Sequence, residues 1–214
     1  MRTLILCPWF GPLPEWMPLY RRNIAPLPQR GFDFLIDNDL KSFVERVRRV
    51  LDIHCPIRPG TGKIHDYRAA FGELYAEEIK GYDWWGTTDF DCVYGRVERF
   101  YNDDLLEEFD VTTDCNDYIC GPWTLYRNRS ETASVFREHP DWRNTLRDPR
   151  ASGWVETIYT DLLNATGLRI QYLQRHAYTD EFFLKKRGRR LTHFDVEVPY
   201  FHFRYSKRWP LSNP

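Results

Sequence analysis

Apolar and polar positions change period several times within the first ninety residues. "TLILC" (3–7) is a continuous apolar run stopped by Pro8, and it reads as a strand buried on both faces. The loop "PWFGPLPEWMP" follows, and a short helix is predicted over 16–22. "FDFLI" (32–36) is a second strand ending in the polar turn Asp37-Asn38-Asp39. In "LKSFVERVRRVL" the period becomes helical, with Leu40, Phe43, Val44, Val47, Val50 and Leu51 on one face. "YRAAFGELYAEEI" (67–79) repeats that spacing and predicts a helix closed by Gly81. "DWWGTT" (83–88) is a third strand, running straight into Asp89 and Asp91. Strand and helix thus alternate, which predicts a mostly parallel α/β sheet.

The second half is less regular. "DYIC" (117–120) and "TLYRN" (124–128) read as strands around Gly121-Pro122, and helices are expected at 131–138 and 154–164, the latter closed by Gly167. "FFLKKRGRRLTHF" reads as a hairpin with Gly188 at its tip. "PYFHFRYSKRWP" alternates as a final strand before a basic tail. No repeat or linker interrupts the pattern, so one domain of 214 residues is expected, the second half adding strands and a lid to the first.

Composition narrows the chemistry. A formal net charge of −1 argues against a nucleic-acid coat protein, and no nucleic-acid partner is expected. No run of about 18 apolar residues exists, so no transmembrane segment is predicted. The N-terminal apolar run is too short for a signal peptide. Five cysteines without a C-x-x-C spacing read as free thiols in a reducing, cytoplasmic setting. The sequons at Asn128 and Asn164 are then chance matches. "RPGTGK" (58–63) is not a P-loop, because Ile57 and Ile64 stand where Gly and Ser or Thr are needed. "KKRGRR" (185–190) reads as a solvated turn, or alternatively as a contact for an anionic acceptor or a membrane surface. Asp110, Asp114 and Asp117 read as loop residues.

Two aspartates one residue apart at a strand end repel each other unless a cation or a proton lies between them. Ligands of open α/β sheets bind beyond the carboxyl ends of the strands. Three polar stations fall there: Pro8, Trp9 and Phe10 after the first strand, Asp37 after the second, Asp89 and Asp91 after the third. An aromatic wall, a hydrogen-bond acceptor and a pair of carboxylates suit a nucleoside diphosphate with Mn²⁺ or Mg²⁺, which use one or two protein carboxylates plus phosphate oxygens.

Asp89-Phe90-Asp91 after an apolar strand resembles the D-x-D motif of GT-A type nucleotide-sugar glycosyltransferases. "FGPLPEWMPLY", "FDFLIDND", "KIHDYRAAFGELY", "GYDWWGTTDFDCVYG" and "CGPWTLYRN" are together similar to blocks of a group of small bacterial and viral glycosyltransferases. "FHFRYSKRWP" is similar to the C-terminal ending that supplies a late His and Lys. The resemblance implies a GT-A, Rossmann-like α/β fold: a mostly parallel central sheet flanked by helices, with a C-terminal hairpin or lid. It implies a nucleotide-binding half (1–95) and an acceptor-binding half (96–214). Asp91 would bind Mn²⁺ or Mg²⁺ directly and Asp89 the ribose, the metal, or both, with His202 as the third protein ligand and Lys207 on the diphosphate. Pro8, Trp9, Phe10, Asp37, and Lys63 or Arg68 would surround the nucleoside. Arg68 stands where the pattern has Lys, and Arg208 separates Lys207 from Trp209.

The implied reaction moves a hexose from a nucleotide sugar, a UDP-sugar by resemblance, to a hydroxyl of a glycan or glycoconjugate. Inverting members place an acid near the start of a late helix, which makes Glu156 the expected general base. Two rival readings remain open at this point. "DFDCV" also fits the nucleophile motif of haloacid dehalogenase-like phosphatases, with Asp103-Asp104 as a later metal pair, although that motif usually follows the first strand. The chain would otherwise be a non-catalytic nucleotide- or sugar-binding module.

Overall fold

A computed structural model describes residues 1–173, 175 and 184–203. The central sheet starts with β1 (Thr3–Pro8), which is buried along nearly its whole length. Helix α1 (Met17–Ile24) leads to β2 (Phe32–Asp37), and α2 (Leu40–Leu51) follows. The apolar stripe expected of α2 is the face it buries: Phe43, Val47 and Leu51 are enclosed, and Leu40, Val44 and Val50 pack at its margins. Asp39 caps the helix, its Oδ1 accepting from the Ser42 amide at 3.1 Å.

The segment expected as a helix over 67–79 is instead a 3₁₀ stretch, Gly62–Ala70, with a single α-turn, α3 (Phe71–Leu74). The spacing suggested an amphipathic helix, yet Lys63, Asp66 and Arg68 are buried along with Tyr67, Ala69, Ala70 and Phe71. A segment enclosed on all sides follows its polar anchors rather than a 3.6-residue stripe. Gly81, at φ 85°, therefore closes a turn and not that helix.

Strand β3 (Trp84–Thr88) ends at the aspartates and is followed by β4 (Cys92–Tyr94), α4 (Asp103–Glu108), β5 (Val111–Thr113) and β6 (Trp123–Arg127). "DYIC" is not a strand. The Thr113 hydroxyl accepts from the Cys120 amide and Thr124 donates to the Cys120 carbonyl, folding this stretch back as a loop between β5 and β6. The chain continues through α5 (Ser130–Ala133), a 3₁₀ turn at Val135–Glu138, α6 (Trp142–Arg147), a 3₁₀ turn at Trp154–Glu156, α7 (Ile158–Ala165) and β7 (Ile170–Tyr172). Strands β8 (Leu184–Arg187) and β9 (Arg190–His193) form the expected hairpin with Gly188 at φ 55°, and β10 (Val196–Glu197) adds to it. The last strand, β11 (Tyr200–His202), pairs with β4.

The six-stranded sheet has the order β2-β1-β3-β6-β5-β7. β6 is antiparallel to both neighbours, and the other pairings are parallel, so five strands run one way. Period-2 alternation splits the core across the sheet. Leu4, Leu6, Trp85 and Tyr126 face α2, α3, α6 and α7, while Ile5, Cys7, Trp84 and Leu125 face α1, α4 and β4. Trp85 and Tyr126, opposite each other across β3 and β6, stack at 4.3 Å. All five cysteines are buried and none is in a disulfide. Among the described residues no helix is long and apolar enough to cross a membrane.

Candidate functional site

The carboxyl ends of β1, β2 and β3 come together at one edge of the sheet. Pro8 is in register with Asp37, and the Trp9 amide donates to the Asp37 carbonyl at 2.8 Å. The Asp37 carboxylate accepts from Tyr75 Oη at 2.7 Å and from the Asp39 amide at 3.1 Å. Trp9 is half-buried, its indole N–H donating to the Pro12 carbonyl and its ring meeting Phe90 edge-on at 6.1 Å. Phe10 turns the other way. It is buried against Phe43 at 4.9 Å, so it belongs to the core and not to a ligand wall.

Asp91 follows the tip of β3 and enters β4. Pairing of β4 with β11 sets Cys92 opposite His202, and His202 Nε2 lies 3.1 Å from Asp91 Oδ1 across 111 residues of sequence. The Phe203 amide donates to the Asp91 carbonyl, closing the ribbon beside the carboxylate. Asp91 and His202 are each about 8 % exposed and Cys92 is fully enclosed. One donor atom from each of the three lies within 4.8 Å of the others. Burial pushes the Cys92 thiol well above its usual range, and the Asp91 and Asp89 carboxylates push it further.

Asp89 forms an ion pair with Arg68, whose side chain is mostly buried. The Arg68 guanidinium packs against Gly121, where a Cβ would overlap Nη1 and come within 2.9 Å of Cζ. The Thr87 hydroxyl donates to the Gly121 carbonyl at 3.3 Å and holds that loop against the strand tip. His65, missed by the motif reading, belongs to the same neighbourhood. The Arg68 guanidinium, and then burial, lower its imidazole to about 4, while Asp89 and Asp91 act in the opposite direction. The only signal for it in the sequence is its position in "KIHDYR", three residues before Arg68.

Lys63 is not available to a ligand. It is fully buried, and its ammonium donates to Asp66 Oδ2 at 2.9 Å, the Thr145 carbonyl at 2.6 Å and the Arg150 carbonyl at 3.2 Å. A lysine has three protons to donate, and all are used. Glu156 is exposed at the end of the 3₁₀ turn before α7. Tyr118, in the loop between β5 and β6, is pushed up by its hydrogen bond with Cys115 and by burial, and last by the Glu156 carboxylate. Lys207 lies outside the described residues. Asp103 and Asp104, the second half of a phosphatase site, begin α4, where Asp103 pairs with the Met1 amine at 2.9 Å. They are thus at the amino end of β1, the opposite edge from Asp89. Asp110 is tied to Arg129, Arg127 and Arg169, and Asp114 accepts from Tyr101.

The donor set fits a divalent cation. A buried carboxylate and an imidazole nitrogen 3.1 Å apart supply oxygen and nitrogen ligands of the kind that Mn²⁺ accepts, while the nearby Asp89 is paired with Arg68.

A family model described as "Family of unknown function (DUF6625)" matches residues 34–206. Comparison with curated proteins gives no match. Among solved structures, a glycosyltransferase involved in the glycosylation of the major capsid of PBCV-1 is 12% identical, with 97% of this chain and 96% of that chain covered and a TM-score of 0.56. A galactosyltransferase, LgtC, in complex with donor and acceptor sugar analogues is 11% identical over 95% of this chain and 87% of that one, with a TM-score of 0.48. A Drosophila β1,4-galactosyltransferase 7 mutant, in complex with manganese, UDP-Gal and xylobiose, is 13% identical over 100% and 76% respectively, with a TM-score of 0.48. At such identities the likeness is one of fold. The first of these three carries it and gives this chain the GT-A architecture that its sheet order and helix layers display.

Proposed function

Because the chain belongs to DUF6625, a family of unknown function, its own residues must carry the reading, and we propose that it is a metal-dependent GT-A glycosyltransferase. It moves a hexose from a nucleotide sugar, a UDP-sugar, to a hydroxyl of a glycan or glycoconjugate. The observation that supports this most is the 3.1 Å approach of Asp91 and His202 beside Asp89, at the edge where three parallel strands end.

In this reading residues 1–95 hold the donor, and 96–214 hold the acceptor while returning His202 to the donor site. Asp91, His202 and Asp89 would hold Mn²⁺ or Mg²⁺, which supplies positive charge to the departing nucleoside diphosphate. Trp9 and Pro8 form the wall against the base, and Asp37 offers its remaining acceptor capacity to base or ribose. Arg68 is a second cation at the diphosphate, joined by Lys207 from the C-terminal segment. The acceptor hydroxyl attacks the anomeric carbon, the bond from that carbon to the phosphate oxygen breaks, and the hydroxyl proton passes to a base. Glu156 is that base, which contributes about 10²- to 10⁴-fold and implies inversion at the anomeric carbon.

A nucleotide-sugar panel scored by thermal shift, with and without Mn²⁺, tests the proposal. A bound donor at a hundredfold excess over Kd stabilises by about 2.7 kcal/mol. Asp91→Ala and His202→Ala are expected to remove the metal-dependent part and leave the metal-free melting transition cooperative. Equal stabilisation with and without Mn²⁺, or none from any nucleotide sugar, rejects the reading.

A further inference from the structure

Cys92 is the member of the buried cluster that the proposed donor site does not use. We propose that Cys92 Sγ, the Asp91 carboxylate and the His202 imidazole form a mixed sulfur, nitrogen and oxygen site for a borderline divalent cation of the Zn²⁺ and Co²⁺ class. The site shares Asp91 and His202 with the one proposed for Mn²⁺ or Mg²⁺, but it does not depend on the transfer reaction.

Three observations lead there. Cys92 and His202 are register partners across an antiparallel pair, so their side chains leave the ribbon on the same face about 5 Å apart. Asp91 Oδ1 is already 3.1 Å from His202 Nε2, and the three donor atoms span no more than 4.8 Å. Tetrahedral Zn²⁺ with bonds of about 2.0–2.3 Å separates its ligand atoms by roughly 3.3–3.8 Å, so the cluster needs to contract by about 1 Å. Asp89, by contrast, is held by Arg68. The set that binds a cation without opening that ion pair is Asp91, Cys92 and His202.

The chemistry of the donors sets the selectivity. Thiolate with imidazole favours Zn²⁺ and Co²⁺, whereas Mg²⁺ and Mn²⁺ favour oxygen. On binding, the metal–sulfur bond forms, the thiol proton leaves to solvent, and no electron is transferred. A fourth ligand would be water or an anionic oxygen. One cation position thus has two alternative ligand sets: Asp89 with Arg68 displaced for a hard ion, and Cys92 with the Arg68–Asp89 pair intact for a borderline ion.

Titration of Co²⁺ into the metal-free full chain tests this without any nucleotide sugar. The wild type is expected to develop sulfur-to-Co²⁺ charge-transfer absorption in the near ultraviolet, saturating at one equivalent. Cys92→Ser and Cys92→Ala are expected to lose it, and Asp89→Asn to keep it. The Mn²⁺-dependent thermal shift by the donor should behave oppositely, kept in Cys92→Ser and lost in Asp89→Asn. Should the Cys92 variants not fold, X-ray absorption of the Zn²⁺-loaded wild type decides, with one sulfur neighbour at about 2.3 Å expected. No charge-transfer band in the wild type, a band surviving in both Cys92 variants, a band lost in Asp89→Asn, or no sulfur neighbour overturns the proposal. A wild type with the Co²⁺ band but no Mn²⁺-dependent donor binding upholds this site and rejects the transferase reading instead.

Discussion

Lys63 is the residue where a ligand role and a structural role make opposite predictions, and Lys63→Met separates them. Its ammonium is fully buried and donates to Asp66, Thr145 and Arg150. Asp66 in turn accepts from the Ser152 amide at 3.0 Å and the Gly153 amide at 3.1 Å, so the pair ties the 3₁₀ segment to the chain before α7. Removing one partner of a buried pair costs about 3–5 kcal/mol. In Lys63→Met the methionine keeps most of the stem volume and Asp66 keeps two amide donors, which places the loss near the lower end, about 3 kcal/mol. In Asp66→Asn an ammonium is left with carbonyls and a neutral amide, and the loss lies near the upper end. For a chain of this size about 3 kcal/mol lowers Tm by roughly 6–12 °C. Urea denaturation of both variants and of Lys63→Met/Asp66→Leu measures the effect. The double variant is expected to recover part of the loss, because neither charge remains buried alone. A Lys63→Met protein that melts within about 2 °C of the wild type but loses donor affinity refutes the structural assignment and returns Lys63 to the binding site.

Gly121→Ala is expected to fold, since its new Cβ meets the end of a flexible side chain, but to drive Arg68 off Asp89. Stability should fall by about 1.5–3 kcal/mol, the scale of a hydrogen bond to a charged group, and Mn²⁺ affinity measured by calorimetry should rise several-fold. A fall in Mn²⁺ affinity contradicts the competition between Arg68 and the cation. His65, ordinarily near 6.5, is lowered to about 4 in the folded chain. The unfolded chain therefore binds the extra proton first, and stability is lost as pH falls from about 6.5 to 4. The full shift is worth about 3 kcal/mol, and partial exposure of the ring reduces it to about 2. Metal-free His65→Phe should show a correspondingly flatter stability profile across that window, and an unchanged slope sinks the assignment. Trp9→Ala should weaken donor binding by about tenfold, the upper range of an aromatic contact, with little change in Tm. A large loss of stability with unchanged donor affinity makes Trp9 a core residue.

Much of the first ninety residues was readable from pattern alone. β1, α2 and β3 each carry a pattern that one environment explains, runs buried on both faces or one stripe against the sheet, and the apolar run of β2 forms the half-buried edge strand. Pattern reading failed at 62–79, where polar residues are buried too, and at the three-residue strands β5 and β7, which are too short to show a period. It also left two cations as alternatives for one role. Lys63 and Arg68 stand five residues apart with equal charge, yet one is spent on buried carbonyls and the other on a strand-tip aspartate.

Local order along the chain was enough to determine the α/β class, the strand tips and the presence of two aspartates at the third of them, because those depend on neighbours within a few residues. Pairing between positions 111 residues apart was not. That His202 returns to Asp91, that Cys92 joins them and that Arg68 covers Asp89 were decided by the β4–β11 ribbon and by the space over Gly121. Such contacts are chosen by which surfaces can be buried together, a property of the assembled core that no stretch of sequence contains by itself.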